Sequence, residues 1–378
     1  MKSTLKFLIL IVSIGQLVTA QTKLITIKAN SNTVDIRDGE NFKKGTWKIT
    51  PEVKPDVYIT ASLGKKVTFY TDIDSISVEI SKTTKFDFII LLNGKTEALT
   101  QIKYQPTFLE TLKEASKYNL SENRTIPKFT YQDKDNSNLV ALRNGFRLDS
   151  IAGKGDEVSK IINLLHWIHN LISHDGQHAN PEVKNAMNMI AVCKKDKRGL
   201  NCRGLATVLN ECYLSLGFKS RFVTCFPKDH EDNECHVINM VYSNDLKKWL
   251  WMDPTNDAYV MNENGELLSI EEVRERLIHN SPLIVNPDAN WNHKQSVKKS
   301  EYLFNYMAKN TYRFECPLVS EYNSETWFNG KSMVFVDLLP LDYDTQEPIK
   351  KEGTNKDTGT TFIYYKTNNP NLFWQTPN

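Results

Sequence analysis

The segment that most constrains this chain is "NCRGLATVLNECYLSLGFKSRFV", in which a cysteine stands at the start of an amphipathic helix. Apolar residues recur at spacings of three and four along one face, and Gly217 ends the helix. Asn201 is a capping residue type, so Cys202 falls in the first turn, where unpaired backbone N–H groups and the helix dipole favour a thiolate. Gly204 is expected to leave room near the sulfur. Cys202 is therefore a candidate nucleophile, whereas Cys212 is expected to be a core residue.

Three strand-like segments follow the helix and cover residues 218–226, 235–242 and 247–253. Asn244-Asp245 suits a two-residue turn between the last two segments, and that turn fixes a register for the hairpin. In this register His236 lies directly opposite Asp253, and Trp251 lies on the same face. The sequence therefore predicts a histidine and a carboxylate as cross-strand neighbours.

A cysteine, a histidine and an aspartate brought together in this way suit nucleophilic catalysis. His236 would take the proton of the Cys202 thiol and later protonate the leaving group. Asp253 would hold the imidazole tautomer and stabilise its positive form. Backbone N–H groups at the helix start would hold an oxyanion. The residues expected to line the oxyanion site or to support the catalytic side chains from behind are Asn201, Gly204 and Trp251.

Three ordered segments resemble the transglutaminase-like superfamily, which is related to papain-type cysteine peptidases. They are "GLNCRGLATVLNECYLSLGFKSRFVTC", "ECHVINMVY" and "KWLWMDPTNDAYV". The resemblance covers about residues 155–260 and implies Cys202 as nucleophile, His236 as base and Asp253 as orienting residue. It also implies an α+β fold with a papain-like core, in which the cysteine-bearing helix packs on an antiparallel sheet.

The sequence departs from that family pattern in two ways. Cys235 directly precedes His236, where a small residue is more usual, and a disulfide there would crowd the site. The upstream side chain that supports the oxyanion in some members cannot be recognised, and Gln177 and His178 are guesses. Disulfide pairing is left open among Cys193, Cys212, Cys225, Cys235 and Cys316.

The length of 378 residues favours more than one domain. Residues 1–20 combine a basic start, an apolar stretch and small residues, which predicts a signal peptide and export to the periplasm or the cell exterior. Residues 21–105 hold short β-like runs separated by turn residues, which predict a β-sandwich. Residues 106–300 form the predicted catalytic domain, and residues 301–378 are expected to be a β-rich extension packed on it.

Two further helices are predicted within the catalytic domain. Asp156 caps a helix whose apolar residues run from Val158 to Ile172. Ser269 caps a second helix in "SIEEVRERLI", within a region that looks helical as far as residue 300. From Tyr302 onward the pattern predicts strands.

The near balance of 47 Lys+Arg and 45 Asp+Glu, a net charge of +2, argues against a nucleic-acid binder. His174 and His178 have the spacing of metal ligands on a helix, but Asp175-Gly176 interrupts that helix. A metal site built on Cys202 and His236 would lack a fourth well-spaced ligand. We therefore expect no metal, no cofactor and no stable membrane span.

These observations predict a secreted cysteine enzyme that attacks peptide or side-chain amide bonds through an acyl-enzyme. Hydrolysis is favoured over transfer to an amine, because nothing in the sequence resembles the calcium sites of large animal transglutaminases. The alternative is a catalytically inactive transglutaminase-fold module that binds protein or carbohydrate at the cell surface. Four aromatic residues of the C-terminal part would be worth inspection as a sugar- or peptide-binding wall, although core packing is their commoner role: Trp327, Tyr364, Tyr365 and Trp374.

Overall fold

The computed structural model describes residues 24–51, 54–347 and 349–377, so the predicted signal peptide lies outside the described residues. The chain divides into two compact units, Met1–Pro106 and Thr107–Asn378. Within the described ranges, no helix combines the length and the apolar character needed to cross a membrane.

The first unit is built of β-strands, which are β1 (Ile25–Ala29), β2 (Thr33–Asp38), β3 (Asn41–Lys48), β4 (Asp56–Thr60), β5 (Lys66–Tyr70), β6 (Ser75–Glu79), β7 (Lys85–Leu92) and β8 (Thr96–Tyr104). They form two four-stranded sheets, in the orders β1-β7-β8-β4 and β3-β2-β5-β6. Alternating residues of both sheets enter one apolar cluster. Phe69 of one sheet and Phe88 of the other meet edge-on there, with ring centroids 5.4 Å apart.

The second unit contains the helices α1 (Phe108–Lys113), α2 (Ser137–Phe146), α3 (Leu148–Ala152), α4 (Glu157–Leu171), α5 (Ala186–Asp196), α6 (Cys202–Ser215), α7 (Ile270–Ile278), α8 (Lys299–Glu301), a π-helix (Tyr302–Met307), α9 (Ala308–Asn310) and α10 (Pro370–Phe373). Its strands are β9 (Thr130–Tyr131), β10 (Ser220–Phe226), β11 (His236–Ser243), β12 (Lys248–Met252), β13 (Val260–Met261), β14 (Ile284–Val285), β15 (Asn290–Trp291), β16 (Gln295–Ser296), β17 (Arg313–Pro317), β18 (Val319–Ser320), β19 (Ser332–Leu338), β20 (Lys350–Thr354) and β21 (Thr361–Thr367).

A seven-stranded sheet in the order β12-β11-β10-β17-β19-β21-β20 forms the centre of the second unit. Helix α6 packs against β10 and β11. Successive residues of the β11–β12 hairpin enter two different apolar clusters, because side chains alternate across a sheet. Val241 and Leu250 join the cluster of helices α2 to α6, whereas Met240 and Trp251 join the cluster that includes the C-terminal segments. The helix that carries Cys202 is thus packed on the sheet, in a mixed α+β unit.

The predicted helix caps are confirmed. Asp156 accepts a hydrogen bond from the backbone N–H of Ser159 at 2.7 Å and starts α4. Ser269 and Glu272 form a reciprocal capping box at the start of α7. Each cap satisfies backbone donors that have no partner inside the helix.

The prediction of strands from Tyr302 onward is wrong for the first part of that segment. Residues 299–310 are helical, and the strands resume at Arg313. Tyr302, Leu303 and Met307 are buried while Phe304 and Tyr306 are exposed, a helical spacing within a short aromatic and apolar run. Such short runs do not distinguish a helix from a strand by periodicity. The region 260–300 is also less helical than predicted, since it holds short strands on either side of α7.

Candidate active site

Cys202 lies at the first position of α6, and Asn201 is the N-cap, whose Oδ1 accepts from the backbone N–H of Gly204 at 3.1 Å. Asn180 holds this cap from outside, because its Nδ2 donates to Asn201 Oδ1 at 2.7 Å and its Oδ1 accepts from Asn201 N–H at 3.1 Å. A Cβ at Gly204 would lie 2.6 Å from Asn180 Oδ1. Asn180 therefore occupies the space beside Gly204, whereas the expected room near the sulfur stays a prediction.

His236 and Asp253 are in contact, but through a different register from the predicted one. Met240 pairs with Trp251, so the strands are displaced by two residues relative to the prediction, and His236 has no partner on β12. The connection between the strands is four residues long instead of two, and Glu157 of α4 accepts hydrogen bonds from its backbone and side chains. Displacement by two residues keeps each side chain on its predicted face.

Asp253 lies just beyond β12 in a turn that Ala258 closes, and its side chain reaches His236. His236 Nε2 is 2.8 Å from Asp253 Oδ2, and both side chains are buried. Asp253 Oδ2 also accepts from Asn256 Nδ2 at 3.0 Å and from Tyr302 OH at 2.7 Å. Burial alone would raise the pKa of Asp253, but the charge of His236 and these hydrogen bonds hold it below its usual range.

Trp251 supports the site indirectly, through Tyr302. Its indole Nε1 donates to Tyr302 OH at 3.2 Å, and Tyr302 in turn donates to Asp253. Trp251 itself is fully buried. It therefore orients the hydroxyl that holds the aspartate, one of the two supporting roles expected for it.

The Cys202 thiol is electrostatically distinct from an ordinary cysteine. Burial pushes its pKa up, but hydrogen bonds from His174 and His236, the charge of His236 and the backbone N–H of Val237 lower the pKa to about 6. Burial would lower the pKa of His236, yet the neighbouring carboxylate of Asp253 raises it well above its usual range. The two shifts favour a thiolate and an imidazolium at neutral pH.

His174 is the contact of Cys202 that the sequence missed. Its segment pairs with Leu200, two residues before the cysteine, through an isolated parallel β-bridge. Asn292 holds the same segment, because its side chain bonds both the backbone N–H and the carbonyl of His174, at 2.6 and 2.9 Å. Trp291 Nε1 donates to His174 Nδ1 at 3.4 Å. The only sequence signal was the "SHDGQH" segment, which had suggested metal ligands instead.

Gln177 and His178, the two guesses for the upstream residue, are not at the site. His178 is exposed, and its Nδ1 pairs with Asp175 at 2.7 Å. Gln177 is exposed and donates its backbone N–H to the same aspartate at 3.0 Å. The upstream contact is made by His174, which lies three and four residues before them.

The histidines of α4 serve separate contacts. His166 Nδ1 bonds Asp257 at 2.7 Å, and with Asp288 these side chains form a group whose possible ligand atoms lie within 4.8 Å of one another. His169 is buried and bonds the carbonyl of Pro254 at 3.1 Å, which ties α4 to the turn after Asp253. Neither histidine joins His174 or His178 in a common site.

All six cysteines are free thiols. Cys212 is fully buried, as predicted for a core residue. Cys235 is partly buried, and burial raises its pKa, with the negative charge of Cys202 acting in the same direction. Because Cys235 is a free thiol, no disulfide at this position crowds the site.

A cavity of about 270 Å³ borders the histidine side of the site. His174 and His236 lie on its wall, together with Thr255, Trp291 and Tyr306. The Tyr306 ring meets the imidazole of His236 edge-on, with centroids 5.2 Å apart. Tyr302 and Tyr306 come from the helical segment that the sequence assigned to strands, so their place in the site was not predicted.

Comparisons with known proteins place the site within one family segment. The family model described as transglutaminase-like superfamily matches residues 146–254, which include Cys202, His236 and Asp253. No curated protein matches this chain.

Three solved structures show the range of similarity. A candidate cysteine protease from Cytophaga hutchinsonii is 16% identical, with a TM-score of 0.25, over 34% of this chain and 40% of that one. A TGase is 16% identical, with a TM-score of 0.26, over 76% and 57%. Red sea bream transglutaminase is 11% identical, with a TM-score of 0.24, over 66% and 52%. This chain thus spans 40 to 57% of the length of these proteins. The family match identifies residues 146–254 as a member of the transglutaminase-like superfamily.

Proposed function

We propose that this protein is a cysteine enzyme that cleaves peptide or side-chain amide bonds through an acyl-enzyme, with Cys202 as nucleophile. The observation that carries the proposal is the buried His236–Asp253 pair, 2.8 Å apart, beside Cys202 at the start of α6, where His236 helps to lower the pKa of the thiol to about 6. A structural cysteine of similar burial shows the opposite shift, as burial raises the pKa of Cys212. An activated thiolate beside a buried imidazolium is the usual arrangement for nucleophilic catalysis by cysteine.

The proposed first step is attack of the Cys202 thiolate on the substrate carbonyl carbon, which forms a C–S bond and moves the carbonyl electrons onto oxygen. His236 bonds Asp253 through Nε2, so Nδ1 is the nitrogen that can contact the sulfur and the leaving group. Collapse of the intermediate breaks the C–N bond, and His236 Nδ1–H gives its proton to the departing amine. The products are a free amine and a thioester on Cys202.

The second step releases the acyl group. Neutral His236 takes a proton from water, whose oxygen attacks the thioester carbonyl and displaces the thiolate. The cavity of about 270 Å³ beside His236 has room for several waters, each of which takes about 30 Å³ in the liquid. The carboxylic acid leaves, and the thiolate–imidazolium pair is restored. An amine that entered the same cavity would give transfer instead, and we favour hydrolysis.

We propose that His174 is the side-chain donor to the oxyanion, besides the backbone N–H groups at the start of α6. An indole N–H is only a donor, so its bond to His174 Nδ1 makes that nitrogen an acceptor. The N–H of His174 is then the one at Nε2, which is available for the sulfur and for the developing oxyanion. Donors placed before the reaction stabilise such charge without reorganisation.

The proposal is tested by trapping the acyl-enzyme. The chain is incubated with a p-nitrophenyl ester, quenched in acid, and the cysteine peptides are analysed by mass spectrometry. An acyl adduct is expected on the Cys202 peptide, and its breakdown to acid or to an amide with added amine distinguishes hydrolysis from transfer. Absence of the adduct, with a correctly folded chain, favours the alternative of an inactive binding module. The export signal predicted at residues 1–20 is a separate proposal, which amino-terminal sequencing of the secreted protein would test.

A further inference from the structure

A larger cavity, of about 740 Å³, adjoins the helix start from a different direction. Asn201 and Arg203, the chain neighbours of Cys202 on both sides, lie on its wall. It shares no lining residue with the cavity beside His236. The nucleophile thus has a second cavity next to it, one large enough to enclose an amino-acid side chain.

Aromatic side chains form one wall of this cavity. Trp327 meets Phe362 edge-on with ring centroids 5.3 Å apart, and Phe335 stacks on Tyr364 at 5.4 Å. Trp327 is 43% exposed, so part of its side chain reaches the solvent. Trp327 and Tyr364 were flagged in the sequence as a possible binding wall, whereas Trp374 is buried in the core.

A carboxylate without a full set of partners lies in the same wall. Glu325 is 4% exposed and its Oε2 accepts from Arg203 Nη1 at 3.2 Å, but its Oε1 has no hydrogen-bond partner among the described residues. Arg203 is shared, because Glu315 Oε1 lies 3.7 Å from its Nη2 and Thr224 accepts from it at 2.9 Å. Arg203 therefore faces two carboxylates, and the ammonium groups of Lys184 and Lys331 also act on Glu325. An unsatisfied buried carboxylate oxygen is costly and needs an explanation.

The ammonium group of Lys184 already contacts the aromatic wall. Its Nζ lies 4.2 Å from the centroid of the Trp327 ring, a cation–π contact at the cavity wall. Its backbone is fixed by a bond from its N–H to Thr326 Oγ1 at 2.7 Å, while its long side chain is only partly buried. An ammonium group on a flexible stem can move aside for a ligand that carries the same charge.

We propose that the 740 Å³ cavity is a subsite for a basic side chain of the substrate, with the aliphatic stem on the aromatic wall and the cationic head at Glu325. This inference rests on the proposed function, since it assigns the cavity to the substrate of Cys202. The basic group is a recognition element and not the group that reacts. A neutral sugar would also stack on the aromatic rings, but it lacks the cationic head that the Trp327 ring already holds in Lys184.

Equilibrium binding to the Cys202→Ala chain measures recognition apart from chemistry. The probes are acetylated, amidated hexapeptides of alanine and glycine that carry lysine, norleucine or glutamate at each position in turn. Norleucine has the stem of lysine without its charge. For at least one position we expect lysine to bind about tenfold tighter than norleucine, with glutamate weakest. Equal binding of lysine and norleucine at every position overturns the proposal, as does preferential binding of a neutral oligosaccharide.

Variants of the wall locate the effect. Glu325→Gln is expected to bring lysine and norleucine to within about threefold of each other, whereas Glu182→Gln, which removes an exposed carboxylate at the same cavity, leaves the preference nearly unchanged. Lys184→Met removes the resident cation and is expected to widen the preference, which keeps the proposal testable if Glu325→Gln does not fold. A preference that survives in Glu325→Gln contradicts the assignment. Alkylation of wild-type Cys202 by iodoacetamide reports the proposed function separately: a reactive thiol without basic preference rejects only the subsite.

Discussion

His236 Nε2 and Asp253 Oδ2 lie 2.8 Å apart, with both side chains at most 1% exposed. The carboxylate also accepts from Asn256 and Tyr302 through Oδ2, and from the backbone N–H of Thr255 through Oδ1 at 2.9 Å. A carboxylate that accepts this many hydrogen bonds stays ionised in the protein interior. It holds the imidazole by one nitrogen and leaves the other free for Cys202.

Asp253→Ala is expected to lower ester turnover less than His236→Ala does. His236→Ala removes the proton carrier, at a cost of about 100- to 10,000-fold in kcat, while Asp253→Ala leaves that carrier in place. The comparison uses turnover of the p-nitrophenyl ester at neutral pH, with thermal unfolding as a check on folding. A loss in Asp253→Ala larger than in His236→Ala would contradict the assigned roles.

Tyr302→Phe is expected to reduce turnover by about tenfold, because a hydrogen bond to an ionised group contributes about 1.5–3 kcal/mol and part of it is lost to the aspartate. Trp251 Nε1 loses its acceptor in the same variant. Tyr306→Phe is the matched control, since Tyr306 meets His236 through its ring, which phenylalanine retains. Equal losses in the two variants would show that the Tyr302 hydroxyl has no special part.

Gly204→Ala is expected to destabilise the chain by about 1–3 kcal/mol, because the new Cβ would lie within 2.8 Å of three atoms of the Asn180 amide. That amide is held by two hydrogen bonds to Asn201 and cannot move without loss of the cap. Gly145→Ala is the control, since nothing lies within 4 Å of its Cβ position and alanine favours a helix. Chemical unfolding of both variants checks the prediction, and equal stabilities would contradict it.

His174→Ala is expected to lower ester turnover by up to about 100- to 1000-fold, the range for loss of one oxyanion donor. Trp291→Phe should lose less, since it removes only the N–H that fixes the His174 tautomer. His178→Ala serves as control, because His178 is exposed and pairs with Asp175. Unchanged turnover in His174→Ala would leave the oxyanion to the backbone alone.

Part of this site could be predicted from the sequence because the residues that define it lie close together in the chain. The helix start at Cys202 follows from a capping residue, an apolar period and Gly217, all within one segment. The two-residue period of the strands kept His236 and Asp253 on one face even though the register was displaced. That displacement could not be foreseen, because Glu157 of a distant helix holds the hairpin connection.

The rest of the site depends on contacts between distant segments. His174 reaches Cys202 because its segment pairs with Leu200 and because the β15–β16 hairpin carries Trp291 and Asn292 against it. Tyr302 reaches Asp253 from a short apolar segment whose period fits a helix or a strand. No local sequence pattern predicts the roles of these residues, because the roles depend on burial and on partners from distant segments of the chain.

The pH dependence of Cys202 alkylation tests the central claim most directly. A lowered thiol pKa means that reactivity is present above about pH 6 and is lost as pH falls through that value. Four buried thiols whose pKa is raised by burial provide internal controls that should react slowly: Cys193, Cys212, Cys225 and Cys316. His236→Ala removes a hydrogen bond and a positive charge, so the midpoint should move toward the ordinary thiol pKa.

The measurement is the iodoacetamide rate of each cysteine, from pH 5 to 9, by peptide mass spectrometry in the wild type and in His236→Ala. The account predicts a midpoint near pH 6 for wild-type Cys202 and a rate at pH 6 that is at least about 100-fold lower in His236→Ala. A Cys202 that reacts no faster than the buried cysteines, or whose profile is the same without His236, would contradict it.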